Sequence, residues 1–257
     1  MRNDPQASPK DGKCAIGFYS VSKSFGPRTV LQDVSFSVAA GSAFVLLGRS
    51  GTGKSVTLKL ICGLLKADSG AVIVNGKDIT KLESNELATT RRHMGFLFQS
   101  AALFDSISVG ENVAFPLRRH TQKADAEIRH QAHGILEQLG LGQEYDSMPG
   151  DLSGGMRKRA GLARALAVEP SLLLVDEPSA GLDPITSTEI DELLIDIKTN
   201  RHATLVVVTH NIQSARRIAD RMAFLDGGHL LAEGTVEELE HSEHRVVRAF
   251  MKSQQGG

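Results

Sequence analysis

Ala43-Phe44-Val45-Leu46-Leu47-Gly48-Arg49-Ser50-Gly51-Thr52-Gly53-Lys54-Ser55 is the stretch on which the fold turns. Its first five residues are apolar without alternation, as in a strand buried on both faces of a parallel sheet. The next eight fit glycine, any four residues, then Gly-Lys-Ser, the pattern of a phosphate-binding loop. Glycines there let backbone N–H groups converge on an anion, and the helix expected to begin near Lys54 adds its positive end. Lys54 is placed to reach the β- and γ-phosphates of a nucleotide, and the Ser55 hydroxyl to bind Mg²⁺.

Three more runs have the same short, non-alternating character: Met94–Phe98, Leu172–Val175 and Leu205–Val208. They end in Gln99, in Asp176-Glu177 and in Thr209-His210. Ligands of open α/β sheets sit outside the carboxyl ends of the strands, so four such ends predict one shared site. Asp176 would hold Mg²⁺ directly or through water, and Glu177 is placed to polarise an attacking water.

Other segments read differently. Val34, Phe36 and Val38 alternate with Ser35 and Ser37 as in a half-buried strand, and Ala71–Val74 leads into the hairpin signal Asn75-Gly76. The first 80 residues are therefore expected to carry antiparallel sheet. Helices are expected over Val56–Leu65, along the stripe Ile128, Ala132, Ile135, Leu136 and Leu139, and after the cap Asp183-Pro184. The stretch from Gln99 to about Gly161 has helical patterns and no strong strand, as in a helical insertion.

With 29 Lys and Arg against 30 Asp and Glu, the formal charge of −1 excludes a protein that holds DNA or RNA by bulk positive charge. Cys14 and Cys62 alone exclude a disulfide scaffold and a cysteine zinc site, and Cys62 reads as a small core residue. No apolar run reaches the ~18 residues of a membrane span, and residues 1–13 are polar, without the apolar core of a signal peptide. A soluble, reduced chain is expected, with other subunits crossing any membrane it serves.

Leu152-Ser153-Gly154-Gly155-Met156 opens a further helix, with Met156, Ala160 and Ala163 as its apolar face. A serine and two glycines at a helix start make a second anion site. The triplet Arg157-Lys158-Arg159 reads as a solvated helix face.

The phosphate loop, Gln99 after a strand, Leu-Ser-Gly-Gly, Leu-Leu-Leu-Val-Asp-Glu-Pro, Ser-Ala-Gly-Leu-Asp at 179–183 and His210 occur in the order of ABC-type ATPases, and over about residues 15–240 the sequence resembles that family. The resemblance implies an α/β fold: a P-loop NTPase core of RecA type with an antiparallel β-subdomain and an inserted helical subdomain. Expected boundaries are a disordered tail at 1–13, the ATPase domain at 14–240 (core 14–98 and 162–240, helical subdomain about 99–161) and a C-terminal extension at 241–257. In that family two copies pair head to tail, and each ATP lies between one copy's phosphate loop and the other's Leu-Ser-Gly-Gly. Ser153, Gly154 and Gly155 would then grip the γ-phosphate held by the partner. By position, Gly48 to Val56 would hold ATP, Gln99 would sense Mg²⁺ and the attacking water, Asp183 would lie at the dimer seam, and His210 would contact the γ-phosphate. Phe25 matches the residue that stacks on adenine, with Phe18 and Tyr19 as alternatives. Val56 and Met156 depart from the pattern, where a second hydroxyl residue and a glutamine are usual.

Leu97–Asp105, Glu111–Arg118, Ser-Ala-Gly-Leu-Asp-Pro-Ile-Thr at 179–186 and the tail Arg245–Phe250 are similar to the ATPases of Mla/Mce-type phospholipid transporters. That resemblance implies ATP and Mg²⁺, a homodimer, an integral MlaE-like permease, a periplasmic MCE-domain (MlaD-like) lipid-binding protein, in some systems a STAS-domain (MlaB-like) regulator, and a peripheral place on the cytoplasmic face of the inner membrane. Coupling to the permease is expected along Ala101–Arg118, where Leu103, Phe104, Phe115 and Leu117 read either as an exposed groove or as ordinary core of the helical subdomain. A different ABC importer for a small solute, and a cytosolic ABC protein acting on nucleic acid or ribosomes, are the competing readings.

Overall fold

The computed structural model describes residues 13–253, so the expected tail lies outside the described residues except for Lys13, as does the end of the extension. Two sheets organise the chain. The first has four strands in the order β2-β1-β4-β5, formed by β1 (Cys14–Phe25), β2 (Arg28–Ala39), β4 (Ser69–Val74) and β5 (Lys77–Asp78), all antiparallel. Asn75 and Gly76, both at positive φ (48° and 79°), make the tight turn between β4 and β5.

The second sheet has six strands in the order β10-β9-β3-β8-β7-β6. Its parallel part is β9 (Arg221–Asp226), β3 (Ala43–Leu47), β8 (Thr204–Thr209), β7 (Leu172–Asp176) and β6 (Met94–Leu97), and β10 (His229–Gly234) closes one edge antiparallel to β9. Each expected apolar run is one of these parallel strands. The reason for their lack of alternation is visible in β3: Ala43, Val45 and Leu47 face one core, and Phe44 and Leu46 face the other.

One core lies under the helices α3 (Val109–His120), α4 (Asp125–Gln138), α5 (Gly154–Leu166), α6 (Pro184–Arg201) and α7 (Ile212–Ile218), with the short α8 (Val236–Glu240) and α9 (Arg245–Lys252) completing it. The other core holds α1 (Lys54–Ile61) and the antiparallel sheet, with Leu87 of α2 (Ser84–Arg91) at its margin. Phe18, Phe36 and Phe44 stack in series across this second core, with centroids 4.8 and 5.0 Å apart, and key the two sheets together.

Two expectations need correction, and one of two open readings is decided. The first helix ends at Ile61, short of Leu65, because Gly63 takes a left-handed conformation (φ 66°) and stops it. Of the residues with two readings, Leu117 is core and Phe115 is exposed, since α3 turns Val113, Ala114 and Leu117 inward and leaves Phe115 outside. Lys158 is buried as well, turned from α5 toward the backbone of Gln99 and Glu177.

Candidate active site

Gly48–Gly53 links β3 to α1. Gly53 sits at φ 104°, and a Cβ there would meet Leu31 Cδ2 at 2.8 Å and the Val30 carbonyl oxygen at 3.0 Å, so only glycine fits against β2. Thr52 Oγ1 donates to the Arg49 carbonyl at 2.9 Å and braces the turn. Arg49, Ser50 and Gly51 form the exposed crest, while Val56 packs against the second core. The buried Lys54 folds back on the loop. Its Nζ donates to the carbonyls of Gly48 (2.9 Å) and Arg49 (3.0 Å) and lies 3.4 Å from Glu177 Oε1.

Glu177 follows β7 with φ 46°, a left-handed backbone that costs a non-glycine residue energy and is common at working sites. Its N–H donates to the Val208 carbonyl (2.9 Å), and its own carbonyl accepts from Lys158 Nζ (2.9 Å). Glu177 Oε2 accepts from Thr209 Oγ1 (3.1 Å) and the His210 backbone N–H (3.3 Å), and lies 2.9 Å from His210 Nδ1. The ends of β3, β7 and β8 thus meet at one carboxylate.

Ser55 Oγ donates to Asp176 Oδ1 at 2.9 Å. Burial pushes the Asp176 carboxyl above its ordinary pKa, partly offset by the Ser55 hydroxyl. Such an oxygen pair, one hydroxyl and one carboxylate, suits a hard cation that takes its other ligands from phosphate and water. Among the described residues no cluster of three His, Cys, Asp or Glu could hold a metal alone. Gln99 enters the same region, lining with Lys59, Ser100, Asp176 and Gly181 a cleft of about 550 Å³.

Two groups stand apart. Ser153 caps α5, its Oγ accepting from the Met156 N–H (3.2 Å). Gly154 lies against Leu182, and Gly155 against Thr186. No hydrogen bond or ion pair among the described residues joins Ser153–Gly155 to the phosphate loop. Asp183 caps α6, accepting from the N–H groups of Ile185 and Thr186 (both 3.0 Å) and from Thr186 Oγ1 (2.6 Å), and the Thr186 contacts hold its carboxyl below the ordinary range. Of the three aromatic candidates Phe18 is fully buried, whereas Phe25 is 46% exposed at the end of β1 with Lys23 Nζ 5.4 Å from its ring centre.

The ABC transporter family model matches residues 31–180, more than half of the chain. The chain belongs to the ABC transporter family. A Mycobacterium leprae relative named a probable ribonucleotide transport ATP-binding protein, mkl, is 44% identical over 95% of this chain and 70% of its own. The intermembrane phospholipid transport system ATP-binding protein MlaF of Haemophilus influenzae is 39% identical over 90% of this chain and 88% of its own. The ABC cassette MJ0796, solved as a dimer in a post-hydrolysis state with ADP and Pi, superposes with a TM-score of 0.80 at 32% identity, covering 86% of this chain and 98% of that one. The chain is accordingly an ABC ATPase. Among its described residues no helix is long and apolar enough to cross a membrane.

Sequence reasoning missed Lys158. A basic triplet on a helix reads as solvated, but the run of small residues that follows, Ala160, Gly161, Ala163 and Ala165, marks a helix enclosed around most of its girth. Only Arg157 of the triplet is exposed; it donates to the Leu152 carbonyl (2.6 Å), and Arg159 pairs with Glu189.

Asp191 was missed too. It is buried on α6, has Ser214 of α7 as a hydrogen-bond partner and Arg217 at 3.7 Å, and its Oδ1 has no partner. Ser214 Oγ also lies 3.3 Å from Ser179 Oγ, two residues after Glu177. Burial pushes the Asp191 carboxyl from 3.8 up to about 6, with nearby Glu192 adding and Ser214 and Arg217 opposing. A raised carboxyl means that the native state keeps a proton the unfolded chain has lost between about pH 4 and 6. Stability therefore falls with pH across that window, and the penalty is complete above it. Asp191→Asn is expected to stabilise the fold at about pH 7.5 by on the order of 2–3 kcal/mol and hardly at all near pH 4. Urea unfolding at both pH values checks this, and an equal effect at both would refute it.

Proposed function

We propose that two copies of this chain, arranged head to tail, hydrolyse ATP in shared sites and drive phospholipid movement through a separate membrane permease. The catalytic part is carried by one observation: the Glu177 carboxylate, braced by Thr209 and His210, stands 3.4 Å from Lys54 at the phosphate loop. The N–H groups of Gly48–Ser55 and the Lys54 ammonium would bind the triphosphate. As phosphate takes the Lys54 ammonium, Glu177 loses that neighbour and can accept a hydrogen bond from an attacking water, directed by His210 and Thr209. His210 would reach the γ-phosphate. Ser55 and Asp176, with Gln99 beside them, would hold Mg²⁺, which when bound neutralises charge on the phosphates.

Phe25 presents the exposed ring for adenine. Phe25→Ala is expected to weaken ATP binding by about 1–3 kcal/mol, roughly 5- to 150-fold, while Phe25→Trp keeps it. Equilibrium titration with ATP measures this, and an unchanged Kd in the alanine variant removes Phe25 from the site. Val56 offers no hydroxyl to the α-phosphate.

Ser153 and Gly154 are exposed at the head of α5, and Leu182-Asp183 lies beside them, an arrangement that supports a grip on the partner's γ-phosphate with Asp183 at the seam. A groove of about 370 Å³, lined by Arg92, Phe98, Phe104, Phe115 and Pro116, would take a short helix of an MlaE-like permease, placing the chain on the cytoplasmic face of the inner membrane. An MCE-domain protein and a STAS-domain regulator would complete the assembly.

The similarity to MlaF over 88% of that protein supports phospholipid as cargo. The 44% identity to the ribonucleotide transport protein favours a second reading, a different importer. Purifying the chain from its native membrane and identifying the permease and lipid that accompany it decides between them: a permease without bound lipid or MCE protein refutes the phospholipid reading.

A further inference from the structure

We propose that Lys158 is a positioning residue of the ATPase reaction, tying the loop at Gln99 and the backbone of Glu177 to the head of α5. Lys158 is 5% exposed, and its Nζ donates to two carbonyls on different elements, those of Gln99 and Glu177. No carboxylate lies within ion-pair distance of it among the described residues; Asp176 and Glu177 act on it only through space, and burial pulls its pKa down. A buried ammonium spent on two carbonyls is costly, so its placement constrains both segments strongly.

The loop it holds is strained. Ala101 and Ala102 are consecutive non-glycine residues at positive φ (62° and 50°). Their carbonyls accept from Arg164, six residues further along α5, at 2.9 Å (Ala101, from Nη2) and 2.6 Å (Ala102, from Nη1). Between the two cations Gly161 lets the helix approach: a Cβ there would come within 2.9 Å of Ala101 Cβ. Residues 99–102 are thus fastened to one helix at both ends and in the middle. That helix begins at Ser153, so a shift of Gln99 or Glu177 in response to this chain's own nucleotide carries the Ser153–Gly155 head with it. Lys158 therefore links the site this chain owns to the site it completes in its partner, an inference that rests on the head-to-tail reading above.

Lys158→Met keeps the length of the side chain and removes its donors. In the full-length protein it is expected to bind ATP within about twofold of the unchanged chain, to lose about 10- to 100-fold in kcat, and to lose the cooperativity of ATP hydrolysis. A kcat and Hill coefficient equal to those of the unchanged protein overturn the proposal. So does a loss of kcat matched by an equal loss of ATP affinity and a fall in Tm, the signature of general packing damage. If the methionine variant does not fold, Lys158→Gln, too short to span both carbonyls, gives the same readings. Glu177→Gln separates the two ideas. If it forms no ATP-dependent dimer, the shared-site reading fails whatever Lys158 does. If it does form one and Lys158→Met turns over normally, the Lys158 inference alone falls.

Discussion

Glu177→Gln is expected to leave ATP bound and two copies locked together, with turnover reduced by about 10²- to 10⁴-fold, the span of a lost general base. The substitution is isosteric. A carboxamide oxygen can still accept from Thr209 Oγ1 and from the His210 N–H, so the local backbone should hold. What it cannot do is take up the proton of an attacking water. Size-exclusion chromatography with ATP and Mg²⁺ should show a dimer that ADP does not sustain, and phosphate release should be slow. Turnover at the ordinary rate would show that Glu177 is not the catalytic carboxylate.

Lys54→Ala is expected to abolish measurable ATP binding. The ammonium would make at least two charge-assisted contacts to phosphate, each worth about 1.5–3 kcal/mol, so affinity should drop by more than about 100-fold. Stability suffers in addition. Lys54 is the cation facing the largely buried Glu177, and removing one member of a buried pair costs about 3–5 kcal/mol, with the lower end expected because Thr209 and His210 still hold the carboxylate. Lys54→Met, which keeps the stem packed, should lose affinity as severely and stability less. Titration with a fluorescent ATP analogue and urea unfolding measure the two effects, and unchanged affinity in either variant rules out the loop as the phosphate site.

Three of the parallel strands, β3, β7 and β8, were legible in the sequence because both of their faces are covered, which removes alternation and leaves short apolar runs; β6 was legible as such a run although Met94 and Phe96 are only half-buried. For the same reason the position of the candidate site was legible: Gln99, Asp176, Glu177 and His210 each stand at or just past such a run, and the sheet order brings those ends together. β1 was not read, although it is an inner strand of its sheet, since four register shifts along its pairing with β2 break the period of two. β9 and β10 carried a usable signal that went unread: Asp226-Gly227-Gly228 is a hairpin turn, with both glycines at positive φ (55° and 84°). Lys158 was misplaced, and Leu117 stayed between groove and core, because their burial is decided by what packs against α3 and α5, and a single helix's pattern of charge and hydropathy does not contain that information. Asp183 was legible from its sequence as a cap, and that role has geometry behind it; its place at a seam came from the resemblance alone.

The exposed rings of Phe104 and Phe115, with centroids 5.1 Å apart, sit beside a loop fastened by the fully buried Asn112. Asn112 Oδ1 accepts from the Phe104 N–H (2.8 Å), and its Nδ2 donates to the carbonyls of Phe104 (3.1 Å), Ile107 (3.3 Å) and Ser108 (3.0 Å). One amide side chain thereby freezes the bend that precedes α3. An arriving helix would meet a surface already in its final shape, so little of the attraction is lost to entropy on association. If a permease helix docks there as proposed, movement in either direction would pass through stiff parts rather than being absorbed by a yielding loop.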